Sequence, residues 1–431
     1  MGAGKSRPID SRGVEMAGIG PSISNARRWT IVGLLFASGV INYLDRAIVS
    51  VALPVIALEL HLGPAAKGVL LSAFFWSYAV MQLPMGWYSD RYNLRWLYAG
   101  AFALWSLACG FTGLASTLGI LIALRVLMGV GESIYLPGGM KIVSLFFDAK
   151  DRGLASGLVN CGTRAGLAFG APLIAAIVVA VGWKNAFFIL GFASLVWLLP
   201  WLKTYPVGTT VSATPAQRKR GQPLTWLNSN LLVMSVAQIC YGYYWYLLVT
   251  WLPDYLVVSR HLPLQKAGAY AAIPYLVYAI AEPAGGWMAD QLVRGGWGEM
   301  RSRKVIIALA YFSSFMFLLV GHVQNDMAAI MLIGGGALVG LSSGNILAML
   351  QRLAPPDEVG LWTGFFNAAG NFSGIVAPIA TGLIIARTGS YYPAFVVSVF
   401  VLIVALPMYW FLLKDRKAPV PGETALARDN A

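Results

Sequence analysis

The feature that most constrains this chain is a series of twelve long apolar runs, which occupy most of its 431 residues. Only 11% of its residues are charged and its mean hydropathy is +0.67, whereas soluble domains contain about 25% charged residues. A helix needs about 20 apolar residues to cross a bilayer, so we predict an all-α membrane protein with twelve transmembrane helices. Barrel strands are excluded, because they alternate polar and apolar residues over about 10 positions. The runs lie near residues 29–53, 68–89, 96–114, 117–140, 153–181, 184–202, 229–257, 266–289, 304–321, 327–350, 359–386 and 391–413.

The net charge of +13 comes from 31 Lys and Arg residues against 18 Asp and Glu residues. Most of the basic residues fall in the two tails and in the loops that follow the even-numbered runs. This asymmetry follows the positive-inside rule and predicts that both termini are cytoplasmic. The basic excess therefore sets membrane topology, and it does not indicate a nucleic-acid partner.

A polar stretch at residues 203–228 separates six apolar runs from six others. We expect a cytoplasmic amino-terminal tail at 1–28, one half at 29–202, a cytoplasmic central loop at 203–228, a second half at 229–413 and a cytoplasmic tail at 414–431. Two blocks of sequence recur between the halves, and in one of them Gly86-Trp87-Tyr88-Ser89-Asp90 returns as Gly286-Trp287-Met288-Ala289-Asp290. Repeats at a nearly constant offset indicate that one half is a duplicate of the other.

Ionisable residues inside the runs are expensive in a bilayer and indicate function. Arg46 and Arg125 each lie about eight residues from the same membrane surface, which is a depth of ~12 Å at 1.5 Å per residue. Glu132 lies two helical turns below Arg125 on the same face, and Arg164 lies at about the depth of Glu132. With Asp45, this cluster has one spare positive charge. We interpret it as an anion site whose binding is linked to protonation of a carboxylate; structural ion pairs between the helices are the alternative.

The segment Gly86–Arg95 after the second run resembles the signature loop of the major facilitator superfamily, and the resemblance covers the whole chain. It implies that the two six-helix halves rock about a central site. It also implies a gating role for Gly86, Asp90, Arg91 and Arg95, and for Asp290 in the second copy. We expect Gly86 to allow close helix approach, Asp90 to meet the start of the eleventh helix near Glu358, and the arginines to pair with acids across the seam.

The motifs Asn42-Tyr43-Leu44-Asp45-Arg46 and Arg125-x-x-x-Gly129-x-x-Glu132 resemble the anion:cation symporter family, which includes bacterial sugar-acid transporters. The resemblance implies that Asp45 and Glu132 couple transport to protons and that Arg46 and Arg125 bind the substrate carboxylate. It also implies a bacterial inner-membrane location.

Four further positions follow from the same resemblance. Tyr43 and Tyr78 match residues that line the sugar-acid cavity. Gln238 has the spacing of a glutamine that contacts the polyol, and Asn367 matches an asparagine of the eleventh helix. Gln238 and Asn367 are single-residue matches and are less specific than the charged motifs.

Three features depart from that family or extend its pattern. Arg164 stands where a small or neutral residue is expected, and it either neutralises Glu132 or binds a second carboxylate of a dicarboxylate or aromatic diacid. Glu282 lies one turn before the second signature loop, where we favour a gating or structural role over proton transfer. The aromatic run 241–246 is expected mostly to pack, with one or two rings facing the cavity.

The predicted function is import of a small organic anion, such as a sugar acid, together with protons by a monomeric secondary transporter that is not an enzyme. A multidrug:proton antiporter and an organic-anion exchanger are the alternatives. The paired arginines count against a cavity for lipophilic cations. We expect neither a cofactor nor a metal, because the three His and three Cys residues show no ligand spacing and no nucleotide-binding loop is present.

Overall fold

The computed structural model describes residues 23–147, 149–207, 228–355 and 359–414, and regular structure within these ranges is entirely helical. Most of the predicted tails and central loop, at 1–22, 208–227 and 415–431, lies outside the described residues. The α-helices are α1 (Asn25–Glu59), α2 (Pro64–Arg91), α3 (Leu94–Thr112), α4 (Leu118–Glu132), α5 (Tyr135–Phe146), α6 (Ala149–Ser194), α7 (Leu198–Thr204), α8 (Ser229–Asp254), α9 (Leu264–Arg294), α10 (Glu299–Ser313), α11 (Met316–Leu319), α12 (Asp326–Gly336), α13 (Ser343–Leu353), α14 (Val359–Thr388) and α15 (Tyr392–Pro407).

Short irregular helical segments continue several of these helices. The 3-10 segments are Leu195–Trp197, Val320–His322 and Ala337–Ser342, and the π-helical segments are Tyr255–Ser259 and Met408–Leu412.

Several helices begin at a polar residue that caps the first turn. The Thr117 hydroxyl accepts from the backbone N–H of Ile120 at 3.3 Å, and Asn325 Oδ1 accepts from Ala328 N–H at 3.0 Å. Asn93 in the same way caps α3. Each cap satisfies a backbone donor that the helix leaves unpaired. The polar residues between the apolar runs therefore fix where the helices start.

By length and composition, nine helical segments within the described ranges are suited to crossing a membrane. One of them, Leu154–Thr204, contains two predicted runs that meet at Gly182, whose φ of 80° and ψ of 160° favour glycine. α3 and α9 match two further runs. The helices are thus consistent with twelve crossings, and the prediction of an all-α membrane protein is confirmed.

Glycines bring the helices of the first half into close contact. A side chain added at Gly129 of α4 would clash with the Phe74 carbonyl of α2. Gly166 similarly presses α6 against the Val40 carbonyl of α1. Small residues are the usual means of close helix packing in membranes. This packing holds α1, α2, α4 and α6 together around the charged residues.

The two halves meet closely at the end of the bundle that contains residues 60–63, which we call the closed end. Here Gly68 of α2 lies against the backbone of Pro378 of α14, and Gly268 of α9 lies against Ala171 of α6. Lys67 Nζ is 2.8 Å from Asp254 Oδ1, and the pair joins α2 to α8. The closed end is therefore sealed by backbone contact and by a buried ion pair.

Candidate functional site

A cavity of about 250 Å³ lies between the two halves. Its walls come from α1, α2, α5 and α6 on one side and from α8, α9 and α14 on the other. Of the residues singled out in the sequence, Tyr43, Arg46, Tyr78, Arg164, Gln238 and Asn367 line this cavity. Hydrogen-bonding groups, aromatic rings and two guanidinium groups thus line one cavity.

Arg46 forms the charged part of the wall in the first half. Its Nε donates to Glu132 Oε2 at 2.7 Å, and its guanidinium lies over three rings. The guanidinium carbon is 5.1 Å from the ring centre of Tyr43, 4.6 Å from that of Phe74 and 4.3 Å from that of Tyr78. Each such contact contributes about 0.5–2 kcal/mol. The arginine is therefore held in place while its terminal nitrogens remain next to the cavity.

The carboxylates of Asp45 and Glu132 lie behind this wall, with 1% and 0% of each residue exposed. Asp45 Oδ1 accepts from the Cys109 thiol at 3.3 Å. Asp45 Oδ2 and Glu132 Oε1 have no hydrogen-bond partner in the described part of the chain. Neither carboxylate lines the cavity, and Glu132 connects to it through Arg46.

Arg125 is also buried, and only 4% of the residue is exposed. Its Nη1 donates to the backbone carbonyl of Asp45 at 3.3 Å, and its guanidinium carbon is 5.1 Å from the ring centre of Phe74. Arg46 and Arg125 thus stack on the same ring, as their matched depth predicts. Arg125 does not line the large cavity; it lines an adjoining space of about 30 Å³ that Arg46 also borders.

Arg164 is paired with Glu282 of the opposite half. The contacts are bidentate, with 2.8 Å from Nε to Oε2 and 3.0 Å from Nη2 to Oε1. The expectation that Arg164 neutralises Glu132 is therefore wrong, because Arg46 holds Glu132 and Glu282 holds Arg164. The spare positive charge counted from the sequence also disappears once Glu282 is included.

Amide groups join α2 to α14 across the halves. Gln82 Oε1 accepts from Asn367 Nδ2 at 3.0 Å and from Asn371 Nδ2 at 3.2 Å. Gln82 Nε2 and both polar atoms of the buried Asn42 have no partner among the residues described. Sequence reasoning did not select Gln82 or Asn371, although both are amides within apolar runs.

The aromatic run of α8 divides between the cavity and the core. Tyr241, Trp245 and Tyr246 line the cavity, and of these Tyr241 and Trp245 lie one helical turn apart on the same face. Tyr244 packs on Phe317 at 4.7 Å between ring centres. Three rings therefore face the cavity, where we expected one or two.

The signature-loop residues lie outside the cavity. Asp90 pairs with Lys141 of its own half at 2.7 Å, and the expected contact near Glu358 lies outside the described residues. A side chain added at Gly86 would make only an ordinary contact with Pro137, so the expected close approach at this glycine is wrong.

The basic residues of the loop also make local contacts rather than the expected pairs across the seam. Arg91 stacks on Trp87 at 4.1 Å, and Arg95 Nη2 donates to the Leu202 carbonyl at 2.5 Å. In the second copy, Asp290 is 3.6 Å from Arg303. Within the described ranges, no group of three or more His, Cys, Asp or Glu residues is arranged to hold a metal ion.

Comparison with known proteins shows the family to which the chain belongs. The chain matches the family model of the Major Facilitator Superfamily over residues 35–360 and 327–429. It is 31% identical to a probable galactarate/D-glucarate transporter of Escherichia coli strain K12, over 93% of this chain and 97% of that protein. It is 30% identical to a D-galactonate transporter of Escherichia coli strain CFT073, over 91% of this chain and 96% of that protein. A hexuronate transporter of Bacillus subtilis is 31% identical over 85% and 90% of the two chains.

Solved structures share the fold at lower identity. A bacterial homolog of the human lysosomal transporter Spinster, in an inward-facing and occupied conformation, has a TM-score of 0.79 at 18% identity. The alignment covers 92% of this chain and 100% of that chain. A point mutant of the nucleoside transporter NupG has a TM-score of 0.68 at 12% identity, and the alignment covers 88% of this chain and 100% of that one.

Proposed function

The chain belongs to the major facilitator superfamily, in the branch that contains sugar-acid transporters, and from this premise we propose that it is a proton-coupled symporter of a small sugar acid. It imports the acid into a bacterial cytoplasm as a monomer in the inner membrane, with both termini inside. The halves at 29–202 and 229–413 rock about the central cavity. The closed end then faces outward, and the loops at Gly86–Arg95 and Asp290 gate the inner side.

The position of Arg46 is the observation that supports an anion-binding site most strongly. Only its Nε hydrogen bonds to Glu132, and the cavity lies next to its remaining donors. A planar guanidinium binds a carboxylate through two parallel hydrogen bonds. Arg125 adds positive charge directly behind it.

The rest of the cavity suits a polyhydroxylated chain. Gln238, Asn367 and Asn42 offer amide donors and acceptors, while Tyr78 and Trp245 offer ring faces and edges. Amides satisfy the hydroxyl groups of a sugar acid, and aromatic faces cover its C–H groups. Both features support a sugar-acid substrate over a lipophilic cation.

Charge balance supports coupling to protons. Asp45 and Glu132 carry two negative charges, and Arg46 and Arg125 carry two positive charges, so the buried cluster is neutral when all four are ionised. A bound monoanion leaves one net negative charge in a medium of low dielectric constant, where unbalanced charge is costly. A proton on Asp45 or Glu132 restores neutrality. Binding of the proton and binding of the anion therefore favour each other.

The test is uptake of a panel of galactonate, galactarate, glucarate and a hexuronate into proteoliposomes, with and without an inward proton gradient. We expect at least one acid to accumulate in the wild type only with the gradient. Glu132→Gln should abolish gradient-driven accumulation and still permit exchange of labelled for unlabelled acid. Glu59→Gln, at an exposed ion pair with Lys184, is the matched control. Uptake that needs a preloaded anion and ignores the gradient would instead identify an organic-anion exchanger.

A further inference from the structure

We infer that the carboxylate of Glu282 binds Arg164, the second arginine of the cavity, and thereby restricts the site to substrates with one carboxylate. Glu282 is therefore a specificity-determining residue, and Arg164 is the group that it blocks. This inference rests on the proposed function and assigns the charge class of its substrate.

The geometry of the Arg164–Glu282 pair is that of a bound carboxylate. Both oxygens of Glu282 contact the same guanidinium fork, at 2.8 Å to Nε and 3.0 Å to Nη2. The Ser343 hydroxyl donates to Glu282 Oε1 at 2.9 Å and helps to hold the carboxylate in position. Bidentate pairing of this kind is the arrangement by which arginine recognises a carboxylate ligand. The protein itself thus supplies the ligand of this arginine.

The two arginines that line the cavity, Arg46 and Arg164, differ in which guanidinium nitrogens bind their partner carboxylates. Arg46 is held by Glu132 through Nε alone, and Glu132 is fully buried behind it. Arg164 uses both Nε and Nη2 for Glu282. On Arg46 the Nη1 and Nη2 groups are not used by Glu132, whereas on Arg164 a substrate carboxylate must displace Glu282 before it can bind the Nε–Nη2 fork.

The Arg164–Glu282 pair is nevertheless within reach of a substrate. The side chains are 30% and 27% exposed, compared with 0% for that of Glu132, and Arg164 lines the same cavity as Arg46. The guanidinium carbon of Arg164 also lies 5.2 Å from the ring centre of Tyr278, which holds the arginine in place independently of Glu282. Removing only the charge of Glu282 should therefore leave a positioned arginine facing the cavity.

The charges around Arg164 also favour a substrate with one carboxylate. With Glu282 ionised, Arg164 contributes no net charge, and a second substrate carboxylate would enter beside a carboxylate that already holds the donor fork. Like charges at such close range disfavour binding. With an amide at position 282, one positive charge becomes available for a second carboxylate.

The experiment compares galactonate and galactarate, which share a six-carbon skeleton and differ in having one or two carboxylates. We would measure uptake of both acids by wild-type and Glu282→Gln proteins in proteoliposomes under the same proton gradient. The wild type should prefer galactonate. The Glu282→Gln protein should raise the ratio of galactarate to galactonate uptake by about tenfold, as expected for one charge-assisted pair.

The double variant Arg164→Gln/Glu282→Gln is the matched control. It should not show the increased ratio of galactarate to galactonate uptake, because it lacks the second arginine. Glu59→Gln controls for loss of a carboxylate elsewhere. An unchanged ratio in Glu282→Gln, or a gain that persists in the double variant, would overturn the inference while leaving the proposed function standing. If the single variant fails to fold, a wild type that transports galactarate as well as galactonate also overturns it. A wild type that transports none of the four acids of the panel contradicts the proposed function, and the inference falls with it.

Discussion

At the scale of single residues, the site depends on which carboxylate each arginine meets. Sequence spacing gave the depth of Arg46, Arg125 and Glu132, because depth in a straight helix follows from the rise per residue. It did not give the partner of Arg164, because Glu282 lies 118 positions away and reaches it only through packing of α6 on α9. The depth of a charged residue along its helix is therefore readable from sequence, whereas its partner is decided by how the helices pack, as the pairing of Arg164 with Glu282 instead of Glu132 shows.

Arg46→Lys should weaken substrate binding although it keeps the positive charge. Lysine lacks the planar fork that contacts Glu132 and stacks between Tyr43, Phe74 and Tyr78. We expect the KM for the transported acid to rise by about tenfold or more, as for the loss of a charge-assisted bidentate contact. Arg387→Lys, at an exposed site at the end of α14, should leave KM unchanged. Equal KM values for the wild type and Arg46→Lys would contradict a role for Arg46 in binding the substrate carboxylate.

At the scale of helices, the lengths of the apolar runs predicted the membrane-spanning helices, whereas the close contacts at glycines are visible only in the structure. Gly129 packs closely against α2, whereas Gly86 has room for a side chain despite its place in the signature loop. A glycine in the sequence shows only that two helices can approach closely at that position. Whether they do depends on the position of the neighbouring helix. At Gly162 and Gly166, α6 lies so close to α1 that an added side chain would clash with the Phe36 and Val40 carbonyls.

Gly166→Ala should destabilise the protein, because the added methyl group would meet the Val40 carbonyl at 2.5 Å and the Tyr43 Cβ at 2.9 Å. Overpacking of this kind costs about 1–3 kcal/mol, and it would also displace the cavity wall that carries Tyr43. We expect a lower Tm in detergent. Gly157→Ala is the control in the same helix, since nothing lies within 4 Å of its added Cβ. A Tm for Gly166→Ala equal to that of Gly157→Ala would contradict the close contact.

At the scale of the whole molecule, the two halves are held at the closed end by the buried Lys67–Asp254 pair, with Tyr391 donating to Asp254 Oδ2 at 2.5 Å. This pair cannot be predicted from sequence spacing, because its two members are 187 positions apart. Removing one member of a buried pair leaves an uncompensated charge and costs about 3–5 kcal/mol. Since alternating access requires this end to open, the pair biases the balance between the two conformations.

Lys67→Met should therefore open the closed end more often. We would introduce Ser50→Cys into a variant without the native cysteines, because Ser50 is 4% exposed and its hydroxyl donates to the Thr250 carbonyl across the seam. Labelling of this cysteine by a maleimide added from the closed-end side should be accelerated at least about tenfold by Lys67→Met, given the cost of the broken pair. Lys184→Met, which breaks an exposed pair with Glu59 at the same end, should have no effect. Equal labelling rates in all three proteins would show that Lys67 does not hold this end closed.

The measurement that tests the central claim most directly is proton movement during uptake of the acid that the panel identifies. A pH-sensitive dye inside proteoliposomes would report the lumen when that acid is added outside, without an imposed gradient. We expect acidification of the lumen by the wild type and none by Glu132→Gln, while Glu59→Gln should behave as the wild type. Uptake of the acid by the wild type without any acidification would contradict proton coupling through the buried carboxylates.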